Sequence, residues 1–372
     1  MKRLDKKLIK NITIFIIVSG FILALIASCI VLSTPSSSYV YLSDLYTSKS
    51  YSDLYISEST YAEDMTTLVE PTIANIKSQS TFNTSDGTTL NYNKFIVENP
   101  VGTIIISHGF TEFASKYSEL IYYFTSLNYN VYIPEHRGHG FSTRATDDFS
   151  LVHITDFQDY VNDFKEFIDR VVIPENTGSN LYLYAHSMGG AIGTLYLEQN
   201  PGIIEAAILS APMLEPATGN YPNFIAKAIA NMYTWLGKGK EYVFGHKPFS
   251  GEKEPESDAT YSIARYSYTF DKRLENTMQQ TNGASFGWLK AALTGAKKAV
   301  KNAHLLEGTP VLIFQATDDT YVNPSAQLKV ANSADSVELI IVEDARHELY
   351  LEKDETLVKY LDVVLSFFEQ FK

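Results

Sequence analysis

Leu181 to Gly193 reads LYLYAHSMGGAIG. A short run of apolar and aromatic residues stops at Ala185-His186-Ser187-Met188-Gly189, and a small-residue pattern with helical spacing begins. The reading is a strand, a sharp turn and a helix, with Ser187 at the apex. The spacing is that of G-x-S-x-G, with alanine in the first position. A tight strand-to-helix turn strains its apex residue, lifts the serine oxygen clear of the sheet and sets it near a helix N-terminus. Small residues at 185 and 189 let strand and helix pack closely around it. An ordinary Ser-x-Gly connection has the same look, so the flanking chain has to decide.

On both sides of this turn, strands and helices alternate. Thr103–Ser107, Val131–Ile133, 181–185, 206–210, 311–315 and 338–342 are short apolar runs of the fully buried kind. Helical periodicity covers Lys116–Leu127, Phe157–Val172, 188–199, a piece near 325–330, and Thr356–Phe371. This alternation predicts an α/β fold, a mostly parallel sheet with helices on both faces. Ahead of it, TFNTSDGTTLNYNKF from Thr81 reads as a hairpin turning at Asp86-Gly87. At Ala211-Pro212 the alternation lapses. The stretch at about 212–305 has helical texture and no clear strands, and reads as a lid insertion over the carboxyl edge of the sheet. Its many aromatics serve first as its own core.

A serine hydroxyl is a poor nucleophile without a base to take its proton and a third group to orient that base. Among eight histidines, His347 stands out in the polar loop DARHE, after strand 338–342. His304 falls in the insertion. His186 adjoins Ser187, but neighbours in a tight turn point apart. His136 and His139 are expected to rim the site. For the acid, Asp318-Asp319 follows strand VLIFQ. Asp319 is preferred because it opens D-x-x-V; Asp344 is the alternative, too close to His347 on one loop. The order Ser187, Asp319, His347 is that of α/β-hydrolases. An oxyanion hole needs two converging N–H groups, expected from Met188 and from Phe110, which follows His108-Gly109. No HExxH, spaced Cys or His cluster, P-loop or G-x-G-x-x-G is present, so neither metal nor cofactor is expected.

The chain has 372 residues, 45% hydrophobic and 20% charged, with a formal charge of −13. Lys2, Arg3, Lys6, Lys7 and Lys10 against Asp5 give the first ten residues +4, which leaves −17 for the rest. An acidic body argues against nucleic acid as a partner. Ile12 to Leu32 carries no charge and is long enough to cross a bilayer, for which about 20 residues suffice. Residues 1–32 therefore read as a transmembrane anchor or a signal segment. The basic flank puts the bulk of the chain outside the cytoplasm. Cys29, the single cysteine, follows Ile26-Ala27-Ser28 in the manner of a lipobox, so lipid attachment there stands beside a plain membrane helix as a reading. Residues 33–80, rich in Ser, Thr and Tyr, read as a tether and leading helices, with SDLY at 43–46 and again at 52–55. The catalytic domain is then 81–372.

From Thr81 onward the chain resembles the monoglyceride lipase and lysophospholipase group of α/β-hydrolases, grouped with serine aminopeptidase S33-like domains. The matching residues are Ser107–Phe110 with Glu112 and Tyr117, Glu135-His136-Arg137-Gly138-His139-Gly140-Phe141-Ser142, FQDYVND at 157–163, AHSMGGAI at 185–192, Ala211-Pro212-Met213, and His347-Glu348 with Glu352-Lys353-Asp354. Ala185, SAPM, Arg265-Tyr266, GASFGWL and HELYLEKD resemble the bacterial inner-membrane lysophospholipase branch. Glu135 stands where the group usually has Asp. The resemblance implies hydrolysis of a single-chain lipid ester, a lysophospholipid or monoacylglycerol, by a triad of Ser187, Asp319 and His347. With the N-terminal segment it implies a bacterial membrane location, single-pass or lipid-anchored. A carboxylesterase or a proline-type aminopeptidase on the same fold, and a non-catalytic binding module, are the other readings.

Overall fold

The computed structural model describes Tyr39 to Lys372, apart from positions 46, 48, 220 and 255. The apolar run Ile12–Leu32 and Cys29 lie outside the described residues. Among the described residues no helix is long and apolar enough to cross a membrane.

Nine strands form one sheet. From one edge to the other they are β1 (Tyr39–Tyr41), β11 (Val337–Val342), β10 (Val311–Ala316), β8 (Ala206–Ser210), β7 (Leu181–His186), β4 (Gly102–Ser107), β5 (Tyr129–Pro134), β3 (Thr89–Phe95) and β2 (Lys77–Asn83). Seven strands, from β1 to β5, run parallel; β3 and β2 close the far edge as the antiparallel hairpin. Strand side chains alternate between faces. Ile105, Leu183, Ala207, Leu209 and Ile313 therefore belong to one core, while Ile104, Ile106, Tyr182, Tyr184, Ile208 and Phe314 belong to the other. Both faces are covered, which is why the strand sequences are apolar throughout.

The helices used below are α1 (Ser118–Ser126), α2 (Gln158–Phe167), α3 (Met188–Gln199), α4 (Asn223–Trp235), α5 (Ile263–Leu274), α6 (Phe286–Asn302), α7 (Pro324–Ala331) and α8 (Asp354–Glu369). Buried residues of α2, α3, α6 and α7 fill the first core, and those of α1 and α8 fill the second.

Three expectations change. First, the leading helices are present before residue 81, but from Tyr39 onward the chain is body rather than tether. β1 pairs with β11, the helical turns at Tyr61–Asp64, Met65–Val69 and Glu70–Ala74 lie on the second core, and Leu42, Ile56, Met65, Val69 and Ile73 are buried there. The polar composition hid this because widely spaced apolar side chains do the packing. Second, α6 is less a lid than a layer of the body. Its small residues Ala291, Ala292, Gly295, Ala296 and Ala299 are buried. At Gly295 a Cβ would sit 2.3 Å from Phe157. Third, the insertion holds a short strand. β9 (Gly283–Ala284) pairs in parallel with β6 (Leu151–Val152) apart from the main sheet.

Candidate active site

β7 ends at His186 and α3 begins at Met188, so Ser187 alone makes the turn, with φ 52° and ψ −118°. Positive φ costs a non-glycine residue energy, and it persists where the surroundings fix it. Here the Ser187 amide donates to Ser210 O at 3.1 Å, and its carbonyl accepts from Met213 N at 2.8 Å and Ala191 N at 3.2 Å. A Cβ on residue 189 would lie 2.0 Å from Ser107 O, and on residue 190, 2.6 Å from Pro212 Cβ. Gly189 and Gly190 are thus required for α3 to pass β4 and the β8 loop.

Asp319 follows β10, and His347 follows β11. Both project from the carboxyl edge of the sheet, where Ser187 also lies. Asp319 Oδ1 accepts from the amides of Tyr321 at 2.8 Å and Val322 at 3.1 Å. Oδ2 is left to accept from His347 Nδ1–H at 2.7 Å, and His347 Nε2 is 2.8 Å from Ser187 Oγ. Burial alone would raise the Asp319 carboxyl. The positive charge of His347 when protonated, its hydrogen bond and the two amides bring it below its ordinary value. It therefore stays ionised and fixes the imidazole tautomer with Nε2 as the acceptor facing serine. Asp318 is exposed and accepts from Tyr261 Oη at 2.8 Å. Asp344 is exposed, with φ 49°, and takes no part in the hydrogen bonds of His347.

The amide of Phe110 has no hydrogen-bond partner among the described residues. Met188, the first residue of α3, presents an amide with no acceptor inside the helix. Phe110 is set by its ring, which lies against Trp288 at a centroid distance of 4.1 Å. Its loop is set from below by Glu112, a buried residue to which the sequence reading gave no role. Glu112 accepts from Gly109 N at 2.5 Å, Tyr117 Oη at 2.5 Å, Tyr350 Oη at 2.8 Å and Lys116 Nζ at 3.1 Å. The hints in the sequence were its place, with Tyr117, in the family resemblance and Lys116 four residues on.

His136 and His139 do not rim the site. With His108 they are buried in a ring cluster beneath Phe110. Burial lowers all three, so they are neutral. The His136 amide donates to His108 Nε2 at 2.9 Å, while His108 Nδ1–H donates to Gly109 O at 2.8 Å. They brace the β4 and β5 loops. Glu135 does likewise, accepting from Asn91 Nδ2, Phe141 N and Ala114 N. His186 turns away from Ser187, with Nδ1 donating to Ser210 O at 3.1 Å. His304 is exposed at the end of the insertion. Among the described residues no group of three or more His, Cys, Asp or Glu is placed to hold a metal ion.

A serine, an imidazole and a carboxylate in one hydrogen-bonded line at the carboxyl edge of a mostly parallel sheet define a serine hydrolase of the α/β-hydrolase fold. Residues 98–354 match the family described as serine aminopeptidase, S33, and the chain belongs to that family. Lysophospholipase L2 of Escherichia coli K12 is 27% identical over 305 residues, covering 79% of this chain and 88% of that protein. A probable lysophospholipase L2 of Haemophilus influenzae is 29% identical over 251 residues, 68% of this chain and 78% of that protein. Among solved structures, a soluble variant of monoglyceride lipase from Saccharomyces cerevisiae, in complex with a substrate analog, superimposes with a TM-score of 0.66 over 80% of this chain and 95% of its own, at 20% identity.

Proposed function

We propose that the protein hydrolyses the carboxylic ester of single-chain lipids, lysophospholipids or monoacylglycerols, through an acyl-enzyme on Ser187. The observation that carries this is the space in front of the serine. Ser187 lines a cavity of about 920 Å³ with Phe110, Met213, Ile229, Val243, Phe286 and Trp288, an apolar wall suited to an acyl chain. Relatives named lysophospholipase and monoacylglycerol lipase support the same substrate class.

The steps follow from the geometry. Ser187 Oγ attacks the ester carbonyl carbon while His347 Nε2 takes its proton. The Phe110 and Met188 amides receive the oxyanion. The Asp319 carboxylate holds the imidazolium. His347 then returns the proton to the departing glycerol oxygen, leaving an acyl-serine. Water, deprotonated by His347, attacks that ester; the fatty acid leaves and Ser187 regains its proton. Ser187→Ala is expected to abolish both ester turnover and labelling by a fluorophosphonate probe. Retained labelling would dismiss Ser187 as the nucleophile.

The N-terminal segment extends the proposal to place: a bacterial membrane, with the catalytic body outside the cytoplasm, either spanning once or held by a lipid on Cys29. The basic residues 2–10, the uncharged run behind them and the membrane origin of the substrates support it. Palmitate incorporation that disappears in Cys29→Ala supports the acylated form; membrane retention without it supports the helix. The family's description also raises an aminopeptidase. A panel of lysophospholipid, monoacylglycerol, nitrophenyl ester and aminoacyl amide decides, and amide turnover above ester turnover would replace the lipid reading.

A further inference from the structure

α5 presents Tyr266, Thr269, Phe270 and Arg273 to the cavity that Ser187 opens into, a spacing that puts all four on one helix face. Arg273 is unlike the other cations there. Lys116 is spent on Glu112 and Glu348, at 3.1 and 2.5 Å, and Lys247 is exposed. Arg273 is half-buried and has no ion pair among the described residues. A guanidinium has five N–H donors. Nη2 donates to Thr281 O and, at 3.1 Å, to Asn282 Oδ1. The Phe249 ring lies 4.2 Å from the guanidinium carbon and holds the plane in place. Nε is buried with no acceptor, and no bond from Nη1 forms among the described residues. The Glu348 carboxylate, bonded to Lys116, acts on Arg273 only from beyond ion-pair distance, and a partly buried cation with unused donors is costly unless an anion joins it.

Building on the lipid-ester reading above, we infer that Arg273 is the head-group site, whose unbonded Nη1 binds the phosphodiester of a lysophospholipid while its acyl ester reaches Ser187. The chemistry separates along the cavity. The acyl chain takes the wall of Phe110, Met213 and Trp288, and the leaving alcohol takes the α5 side. An anionic group esterified to that alcohol is a phosphodiester, which the two N–H groups of Nη1 can bind through charge-assisted hydrogen bonds. Monoacylglycerol offers Arg273 only neutral hydroxyl oxygens, weaker acceptors than a charged phosphodiester.

The test uses the full chain as wild type, Arg273→Gln and Arg273→Lys. The substrates are palmitoyl lysophosphatidylethanolamine, monopalmitoylglycerol and nitrophenyl butyrate, the lipids below their micelle concentrations. Arg273→Gln is expected to lower kcat/KM for the lysophospholipid by roughly 10- to 100-fold, chiefly through KM. The other two substrates should stay within about twofold, and lysine should recover part of the loss. Equal losses on all three substrates would overturn the assignment, because they would reduce Arg273 to a brace for Thr281 and Asn282. An unchanged KM for lysophospholipid would overturn it as well. A wild type that cleaves nitrophenyl butyrate but neither lipid would defeat the lipid reading itself and this inference with it.

Discussion

Ser187 opens α3, and near the other end of that helix Glu198 is buried with no hydrogen-bond partner for either carboxylate oxygen. Burial pushes its carboxyl up to about 8, against a small opposing effect of Lys298. The sign follows from proton counting. Between the unfolded value, about 4.3, and about 8, the folded chain binds this proton more tightly than the unfolded chain. Stability from this group is therefore greatest below the unfolded value and falls as pH rises through the window, by up to ~1.4 kcal/mol per unit. Glu198→Gln keeps the shape without the charge. Its melting temperature, followed from pH 5 to 9, should decline less than that of wild type and exceed it at the alkaline end. Parallel curves would rule out a buried neutral Glu198. Function and burial differ in how plainly a sequence shows them. Ser187, Asp319 and His347 could be read because each follows a buried strand in a set order. Glu198 could not, since a lone glutamate carries no pattern and only packing decides whether water reaches it, and Glu112 was visible only as a matching residue without a role.

At the scale of elements, α5 is anchored more firmly than the word lid suggests. Arg265 is fully buried. Its Nε meets Glu119 Oε2 at 3.1 Å and its Nη1 meets Asp354 Oδ1 at 2.9 Å, with Ile56 O and Glu352 O as further acceptors. Tyr61 and Tyr123 also donate to Glu119. One guanidinium thus ties α5 to α1, to the start of α8 and to the chain before Tyr61. Removing one partner of such a pair strands the other charge, at a cost of about 3–5 kcal/mol. Arg265→Met should lose stability of that order in chemical denaturation. Adding Glu119→Gln should restore part of it, because the amide oxygen still accepts from a tyrosine and no buried charge remains. A single variant as stable as wild type would show that α5 is held by something else. By contrast α4 is loosely dressed, with Phe224 and Trp235 exposed at 74% and 84%. The helical texture of both was plain in the sequence, but their different attachment was not, because a long-range ion pair leaves no local period. β6 and β9 escaped for a related reason: two residues are too few to show alternation.

For the whole molecule, the boundary of the body is the point on which sequence and structure part most clearly. The central sheet announced itself through strands buried on both faces. The stretch from Tyr39 to Ala74 read as a tether with leading helices because its Ser, Thr and Tyr content resembles a linker; the helices are there, but the tether is not. In the fold Tyr55 Oη and the Tyr51 amide both donate to Asp362 on α8, and Tyr61 Oη donates to Glu119. Two truncations measure what this stretch contributes. A chain beginning at Tyr39 keeps β1 and every buried residue described above, and should melt cooperatively with nitrophenyl ester turnover unchanged. A chain beginning at Lys77 lacks Leu42, Ile56, Met65, Val69 and Ile73 from the second core. Burying such side chains stabilises by roughly 1.5–3 kcal/mol each, so their loss is on the order of 10 kcal/mol, comparable with the ~5–15 kcal/mol net stability of a typical domain. It also uncovers Glu119 and Asp362, which would need water in place of their tyrosines. The shorter chain should therefore lack a cooperative melt by circular dichroism and be degraded by protease where the longer one survives. Equal melting of the two would return 39–76 to the status of a tether and place the start of the folded body at the β2–β3 hairpin.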